Sequence, residues 1–512
     1  MSTPANQTQP IWQKILLVLY PFLLAYYPIL ALYNLNSEYV DLPDTFRSLL
    51  LATIATLLLE VSFYLLTHSL EKSSVIVSLL MVFFLTYGHI YLYLQDNLDL
   101  TVRHSYLAGL GGLLFLGLIL LVLKSTLIAT GMAQFLMVVS IALTAMFLFG
   151  WAQHVLGINR ASAAAADSEP APQTASSQQQ LPDFYFIILD AHTRSDVLAN
   201  RFGYDNSNFV QALEAMGFYV APCSQSNYAS TKLSLTSAFY GEYIDQIIQS
   251  GQVLPPLETS TLNQTLKERG YLTIAFENRA RGQFDLNENV RFSRNQLAFG
   301  TIDLRGGLSE FERMLIDTSF MRFFVDTELI PGFDRDTLDE WELWEHYYQT
   351  KFILSELGHI PDIPGPKFVF AHLMVPHAPF VFAPDGSFHR NTDPIAGYQA
   401  NTAFIDNTLP AIISTILEKS DPQPIIIIMG DHGPSTRPTV TPEMRMSNLA
   451  AYLVGDAAKS ELYPSITPIN ATRTILNTVY GDDYPLLEDN SYYAYKSDEL
   501  PGAELIPNTC QP

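Results

Sequence analysis

The chain has 512 residues, of which 28 are Lys or Arg and 51 are Asp or Glu, giving a formal net charge of −23 at pH 7. This length exceeds what a single hydrophobic core usually organises, and it predicts two or three domains. Nucleic-acid-binding proteins need clustered Lys and Arg to displace counterions from phosphates. The acidic balance and the lack of any basic run therefore argue against a nucleic-acid partner.

Five long apolar segments fill the first 150 residues, which carry only five Lys or Arg and seven Asp or Glu. Each is long enough to cross a hydrocarbon core of about 30 Å as a helix. The first is too long and too weakly basic at its front to be a cleavable signal peptide, so we expect it to be an anchor. The sequence predicts a transmembrane domain over residues 1–152, with spans at 11–33, 46–66, 75–95, 105–123 and 126–150.

Charges in the short loops between these spans predict the orientation. Lys14, Lys72 and Lys124 fall on one side, and the opposite side carries acidic loops together with Arg47 and Arg103, which weaken the bias. Because Lys and Arg mark the cytoplasmic side, we expect a multi-pass protein of the plasma or inner membrane whose C-terminal part is extracytoplasmic. The acidic loop residues are Glu38, Asp41, Asp44, Asp96 and Asp99.

Two ionisable residues, Glu60 and His89, lie within the apolar spans. Such groups are candidates for function by default, and hydrogen bonding between helices is the competing role. Their different depths argue against a simple pair.

Residues 153–181 are predicted to form a flexible linker, because the segment GINRASAAAADSEPAPQTASSQQQL carries no apolar period. Short apolar runs then alternate with helical stretches. Continuous apolar strands of this kind belong to sheets covered by helices on both faces, so residues 182–512 are predicted to form an α/β sandwich. The predicted strands lie at 184–189, 217–221, 271–276, 367–375, 425–430 and 451–455.

Three of these predicted strands end in residues that bind metals or activate substrates. FYFIILD closes on Asp190, IIIIMGDHG on Asp431 and His432, and the VPHAPF segment carries His377 just beyond its strand. The carboxyl ends of strands are where open α/β sheets place their sites. Two carboxylates and an imidazole suit one Mn²⁺, Zn²⁺ or similar divalent ion. The competing roles are a helix-capping Asp190 and a His377 that only packs its loop.

Asp190, the segment SNYASTKLSLTSAFYG, VPHAPF and MGDHG follow one another in the order seen in the sulfatase-like fold of the alkaline phosphatase superfamily. With five helices in front, the chain resembles lipoteichoic acid synthases and phosphoethanolamine transferases. This resemblance implies metal ligands at Asp190, Asp431 and His432, a nucleophile at Thr231 that also contacts the metal, and a substrate-contacting His377.

The register of the nucleophile has alternatives at Ser230, Ser234 and Thr236; TKLS matches the family pattern at Thr231. A threonine hydroxyl needs activation, which a bound divalent ion supplies. Formylglycine sulfatases instead need a CxPxR-type motif, whereas Cys223 is followed by SQSN.

The expected function is a metal-dependent phosphotransferase that moves a phospho-alcohol group from a membrane phospholipid to a glycan or lipid acceptor in the cell envelope, through a phosphothreonine. The alternatives are a hydrolase of phosphate or sulfate esters and a non-catalytic membrane scaffold. Cys223 and Cys510 would be compatible with one disulfide outside the cytoplasm, although their number alone does not establish it. We expect supporting roles for His372 and Asp406, and surface pairing for Arg194 and Arg281.

Overall fold

The structure is a computed structural model that describes residues 11–36, 42–96, 102–166, 181–249, 252–277, 284, 286–292, 308–435 and 440–510. The chain divides into two compact units. The first unit comprises Met1–Val155 with Asn295–Glu342, and the second comprises Leu156–Arg294 with Leu343–Pro512.

The first unit contains five helices that, within the described residues, are long and apolar enough to cross a membrane, as the sequence predicts. Helices α1, α2 and α3 share a core that includes Ala25, Ile29 and Val77. The five helices are α1 (Ile11–Leu35), α2 (Phe46–Thr67), α3 (Leu70–Asp96), α4 (His104–Lys124) and α5 (Thr126–Ala166).

Helix α5 extends beyond the predicted span. Residues 153–166, predicted as linker, are helical in the structure. The run ASAAAA at 161–166 explains the difference, because alanine has the highest helix propensity and needs no buried partner to favour a helix. Residues 167–180 of the predicted linker lie outside the described residues.

The second unit is built on a mixed seven-stranded sheet, counted over the described residues, with the order β2-β7-β6-β1-β5-β3-β4. Strand β1 lies between β5 and β6 and runs parallel to both, whereas β7 is antiparallel to β6. The strands are β1 (Phe184–Leu189), β2 (Tyr219–Val220), β3 (Leu272–Phe276), β4 (Val290–Phe292), β5 (Lys367–Leu373), β6 (Ile425–Met429), β7 (Ala450–Leu453), β8 (Tyr492–Tyr493) and β9 (Glu504–Leu505).

The six predicted strands are all present. Strands β4, β8 and β9 were not predicted, because segments of two or three residues carry no readable periodicity. Helices follow the linker in this order: α6 (Ser195–Val197), α7 (Ser207–Ala215), α8 (Thr231–Tyr240), α9 (Ile244–Ile247), α10 (Thr261–Glu268), α11 (Glu310–Thr318), α12 (Met321–Thr327), α13 (Arg335–Leu357), α14 (Pro394–Lys419), α15 (Pro442–Met446), α16 (Asp456–Ser460) and α17 (Pro468–Tyr480).

Both faces of the sheet are covered, which confirms the predicted α/β sandwich. Alternate residues of β1 contribute to opposite cores: Phe184 and Phe186 pack with α8, α10 and α17, whereas Tyr185 and Ile187 pack with α7, α13 and α14. This alternation follows from the two-residue period of a strand, and burial on both faces explains why FYFIIL is apolar throughout.

Residues 308–342 depart from the expected domain boundaries. The sequence placed them in a catalytic domain spanning 182–512, but α11 and α12 group with the membrane helices. The Phe320 N–H donates to the Phe84 carbonyl (2.6 Å), and the Phe320 ring packs against Tyr87. Glu312 forms an ion pair with Arg47. Phe320 of this segment therefore packs on α3.

A disulfide joins Cys223 to Cys510. Asn508 Nδ2 also donates to the Cys223 carbonyl (2.7 Å). The C-terminal segment is thus fixed beside the loop that follows β2.

Candidate functional site

Three of the predicted site residues meet at one edge of the sheet. Asp190 follows β1, and Asp431 with His432 follow the neighbouring parallel strand β6. All three are buried, and one potential ligand atom from each lies within 4.8 Å of the others. Because parallel neighbours end at the same edge, two separate apolar strands bring their first polar residues into contact.

Two glycines allow the MGDHG segment to approach its neighbours. A Cβ at Gly430 would lie 2.1 Å from the carbonyl oxygen of His192, and one at Gly433 would lie 2.0 Å from that of Met444. Real Cβ atoms do not come so close. The glycines on either side of Asp431 and His432 are therefore a packing requirement of this turn.

The backbone after Asp190 is strained. Ala191 has a φ of 64°, a left-handed conformation that costs a residue with a side chain roughly 1–2 kcal/mol. The conformation directs the Ala191 N–H to Oδ1 of Asp431, at 2.9 Å. The ends of β1 and β6 are thus joined by a hydrogen bond that also fixes one carboxylate oxygen of Asp431.

The ring of His432 is oriented by its own backbone neighbour. Its Nδ1 lies 2.9 Å from the Gly433 carbonyl, which only accepts hydrogen bonds, so Nδ1 carries the hydrogen. Burial, and then the nearby Arg445 guanidinium, lower the pKa of His432 to about 4. The neutral ring therefore presents the lone pair of Nε2 to Oδ2 of Asp431, at 3.1 Å.

This arrangement fits a divalent cation. Oδ1 of Asp190 and Oδ2 of Asp431 are buried and lack a hydrogen-bond partner among the described residues. Carboxylate oxygens buried without donors are costly, and here two of them face the lone pair of an imidazole. Two carboxylates and a neutral imidazole match the donor set of Zn²⁺ or Mn²⁺. Asp190, Asp431 and His432 are thus suited to hold one ion.

Asp190 is held in its charged form. Burial by itself would raise the pKa of this carboxyl, but the nearby imidazoles of His377, His372 and His432 lower it below its usual range. Nε2 of His372 lies 3.0 Å from Oδ2 of Asp190. His372 lies within β5, as predicted. Its contact fixes Oδ2 of Asp190, whereas Oδ1 has no hydrogen-bond partner among the described residues.

Thr231 adjoins the same cluster. It is the first residue of α8, and its Oγ1 lies 3.2 Å from Nε2 of His432. Ser230 and Ser234, the neighbouring hydroxyls, are engaged elsewhere: Ser230 donates to the Tyr495 carbonyl (3.0 Å), and Ser234 donates to the Asp431 carbonyl (2.6 Å). Among these three hydroxyls, that of Thr231 faces the imidazole.

His377 lies on the loop after β5. Its backbone N–H donates to the Asp190 carbonyl (3.0 Å), and Nδ1 of its ring lies 2.6 Å from the Ala378 carbonyl oxygen. Nδ1 therefore carries a hydrogen, and the ring is partly exposed.

Two residues that organise the site, His192 and Arg445, were not predicted from the sequence. Nε2 of His192 lies 2.8 Å from Oδ1 of Asp406, a buried contact that gives Asp406 the supporting role expected for it. Arg445 donates from Nε to the Ala229 carbonyl (2.8 Å) and from Nη1 to the Gly433 carbonyl (3.1 Å). Proximity to Asp190 could have indicated His192, but no motif marks Arg445.

Arg194 donates to both carboxylate oxygens of Asp196, at 2.9 Å each, so it forms the expected ion pair, but its side chain is buried rather than at the surface. Arg281 lies outside the described residues.

The fold is that of an α/β domain, and its cluster of carboxylates, an imidazole and a threonine is one that could hold a divalent ion beside a hydroxyl. The family model described as Sulfatase matches residues 182–484, more than half of the chain. The chain belongs to the Sulfatase family and is an enzyme of that family.

Solved structures of related proteins show low similarity. The integral membrane phosphoethanolamine transferase EptA from Neisseria meningitidis is 11% identical, with a TM-score of 0.39, over 91% of this chain and 95% of that chain. The C-terminal periplasmic domain of EcEptC from Escherichia coli is 13% identical, with a TM-score of 0.39, over 62% of this chain and 90% of that chain. A putative sulfatase from Bacteroides thetaiotaomicron is 11% identical, with a TM-score of 0.39, over 62% of this chain and 78% of that chain. No curated protein matches the chain.

Proposed function

We propose that the protein is a metal-dependent phosphotransferase that moves a phospho-alcohol group, of the phosphoglycerol or phosphoethanolamine type, from a membrane phospholipid to a glycan or lipid acceptor. The observation that carries this proposal is the contact of Thr231 Oγ1 with Nε2 of His432, beside two buried carboxylates that each have one oxygen without a hydrogen-bond partner among the described residues. A nucleophile next to a cation site is what phosphoryl transfer requires.

The residues support a two-step transfer. In the first step, Oγ1 of Thr231 forms a bond to phosphorus as the bond from phosphorus to the lipid alcohol breaks, leaving a phosphothreonine. In the second, the acceptor hydroxyl forms the new bond to phosphorus, and the Thr231 oxygen leaves. One divalent ion, Mn²⁺ or Zn²⁺, held by Asp190, Asp431, His432 and the Thr231 oxygen would lower the pKa of the hydroxyl and neutralise charge on the phosphoryl oxygens.

Other groups of the chain assist. Thr231 opens α8, so the partial positive charge of the helix N-terminus favours the phosphoryl group there. Nε2 of His377, with the ring doubly protonated, would give a proton to the departing alcohol oxygen and regain one from the acceptor hydroxyl, while Oγ1 of Thr231 would begin and end the cycle deprotonated. The neutral ring of His432 is kept in place by its Gly433 contact throughout.

The catalytic domain is proposed to lie outside the cytoplasm. Within the first unit, α11 and α12 pack near the C-terminal end of α3 and the N-terminal end of α4. This end is opposite to the one marked by Lys72 and Lys124. A reporter enzyme fused at the C-terminus should be active only outside the cytoplasm, and activity confined to the cytoplasm would contradict this topology.

Mass spectrometry of the Thr231 peptide tests the transfer. The full chain in detergent would be incubated with vesicles of phosphatidylethanolamine or phosphatidylglycerol, and the mass added to Thr231 would name the group. Lipid head-group release that proceeds with unmodified Thr231 would contradict the covalent route. Release of free head group without any acceptor would favour the hydrolase, and absence of both metal and turnover would favour the scaffold.

A further inference from the structure

The segment that precedes the proposed nucleophile pairs with the C-terminal part of the chain. We call this segment, residues 227–230, the nucleophile segment. The backbone N–H of Tyr492, in β8, donates to the Asn227 carbonyl (2.9 Å). Two residues further along, the backbone N–H of Ala229 donates to the Ala494 carbonyl (3.2 Å). Residues far apart in the chain therefore form a short parallel pairing directly before the first residue of α8.

Both ends of this C-terminal part are tied to the same region. At its start, Nδ2 of Asn227 donates to the Asn490 carbonyl (3.0 Å). At its end, the disulfide joins Cys510 to Cys223, which lies a few residues before the nucleophile segment. Between these two ties, β8 pairs antiparallel with β9. We call residues 490–510 the C-terminal strap, because they pair with the nucleophile segment and are fixed at both ends.

One buried side chain packs the last part of the strap. Within residues 501–510, Ile506 is the buried residue, with 4% of its surface exposed. It packs with Ala229 of the nucleophile segment and with Met446 of α15. Its neighbour Leu505 is 52% exposed. The apolar packing of this part of the strap therefore depends on one side chain, which contacts the nucleophile segment itself.

A guanidinium ties the nucleophile segment to the turn that carries His432. Nε of Arg445 donates to the Ala229 carbonyl (2.8 Å), and Nη1 donates to the Gly433 carbonyl (3.1 Å). The same Gly433 carbonyl accepts the Nδ1 hydrogen of His432. The strap thus holds the N–H of Ala229, and Arg445 holds its carbonyl. Hydrogen bonds therefore run without a break from the strap to the ring of His432.

We propose that the C-terminal strap positions Oγ1 of Thr231 against Nε2 of His432, an inference that rests on the proposed function. Ala229 lies two residues before Thr231. Ser230, between them, caps α8 and donates to the Tyr495 carbonyl of the strap. Loosening the strap therefore loosens the first turn of α8. Because a misplacement of about 1 Å can cost about 10²-fold in rate, the effect should fall on the chemical step and not on lipid binding.

The disulfide keeps the strap close to the nucleophile segment. Since the tie is covalent, Cys510 stays beside Cys223 when the noncovalent contacts of the strap open, and the strap closes again at a high effective concentration. Reduction removes this tie and leaves the hydrogen bonds and the packing of Ile506 to hold the strap. The fraction of molecules in which the strap is closed should therefore fall on reduction.

Two neighbouring residues of the strap test the proposal. Ile506→Ala removes the buried contact, and Leu505→Ala, at an exposed position, is the matched control. The full chain in detergent would be mixed with phosphatidylethanolamine or phosphatidylglycerol vesicles. We expect Ile506→Ala to slow phosphothreonine formation in a single turnover by about tenfold or more, per folded molecule, with an unchanged KM for lipid and unchanged metal content. Hydrogen exchange at the Ala229 N–H should be faster, and Leu505→Ala should match the wild type.

Four results would overturn the proposal. They are a wild-type rate in Ile506→Ala, an equal loss of rate in Leu505→Ala, loss of the metal ion from Ile506→Ala, and a slower rate with unchanged hydrogen exchange in the nucleophile segment. Each would show that the strap does not act through the position of Thr231.

Reduction of the disulfide is a second test. The chain has two cysteines and both are in the disulfide, so a reductant meets no other cysteine. A phosphine converts the disulfide to two thiols, and one water molecule supplies the two protons and the oxygen of the phosphine oxide. Reduction should slow phosphothreonine formation in the wild type. The Cys223→Ser/Cys510→Ser variant should be slow from the outset and should not respond to the phosphine.

An undiminished wild-type rate after complete reduction would overturn the proposal. If the oxidised wild type forms no phosphothreonine at all, the proposed function fails. Hydrogen exchange of the nucleophile segment before and after reduction then tests the strap separately, and unchanged exchange would show that the strap does not hold this segment.

Discussion

Oγ1 of Thr231 lies 3.2 Å from Nε2 of His432, although the two residues are 201 positions apart in the chain. Thr231 is the first residue of α8, and His432 lies at the start of the loop that follows β6. Since Nδ1 of His432 is committed to the Gly433 carbonyl, Nε2 is the atom that Thr231 can share with a metal ion. Nucleophile and ligand set thus form a single unit, whose removal effects should not add.

Thr231→Ala should abolish turnover while leaving metal bound through Asp190, Asp431 and His432. Ser230→Ala is the comparison, because Ser230 caps α8 by accepting from the Leu233 N–H. Its loss should cost about 1 kcal/mol of stability but retain turnover. Head-group transfer and metal content, measured on both proteins, check this. Near-normal activity in Thr231→Ala, with none in Ser230→Ala or Ser234→Ala, would show that the nucleophile is one of these neighbouring serines and not Thr231.

Asp431→Asn should lose both metal and activity. An amide can still accept the hydrogen bond from the Ala191 N–H, so the turn should survive while the charge that holds the ion is removed. Asp456→Asn, an exposed position at the start of α16, is the control for loss of one negative charge. Metal analysis of the purified proteins is the measurement. Normal metal content in Asp431→Asn would remove Asp431 from the ligand set.

Gly430→Ala should destabilise the protein by about 1–3 kcal/mol, because its Cβ would meet the His192 carbonyl at 2.1 Å and the overpacked turn would have to shift. Gly502→Ala, at an exposed glycine with no atom within 4 Å of the added Cβ, should change stability by less than about 0.5 kcal/mol. Denaturant unfolding compares them. Equal stability of the two variants would show that the turn is looser than described.

The pH dependence of stability should carry a contribution from His432. Its pKa in the folded protein is about 4, below the ordinary value of 6.5, so the unfolded chain binds the proton more readily. The metal-free protein should therefore be stable above pH 6.5 and lose this contribution as pH falls from about 6.5 to about 4. His432→Gln should show a shallower loss over that window. Identical pH profiles of the two proteins would contradict the lowered pKa.

Much of this site could be predicted from the sequence, because its ligands directly follow long apolar strands. FYFIIL and IIIIM end at Asp190 and Asp431, and neighbouring parallel strands end together. The contacts of His192 with Asp406 and of Arg445 with the Ala229 carbonyl could not be predicted, since they join residues more than 200 positions apart. Only tertiary packing makes such pairs, and periodicity carries no information about it.

The grouping of α11 and α12 with the membrane helices could not be predicted from the sequence, for a similar reason. Helix α11 has the alternation of polar and apolar residues typical of a helix on a soluble domain, with Phe311 on its buried face. Amphipathicity predicts that a face will be covered but does not identify what covers it. The structure places that face against the core of α1, α2 and α3.

His377→Gln should slow turnover by about 10²–10⁴-fold at neutral pH, because general acid–base groups contribute on that scale. The metal site should stay occupied, since His377 is not one of the proposed ligands and its Nδ1 contacts the Ala378 carbonyl. His389→Gln is the matched control, since the side chain of His389 is exposed on the same loop and only its backbone N–H, which the substitution keeps, donates to the Val381 carbonyl. Turnover against pH and metal content would be measured for both. A proton-transfer role predicts that the His377 variant loses one limb of the pH profile while keeping its metal. A profile of unchanged shape at lower rate would instead give His377 a role in holding the phosphoryl group, and unchanged turnover would remove it from the site.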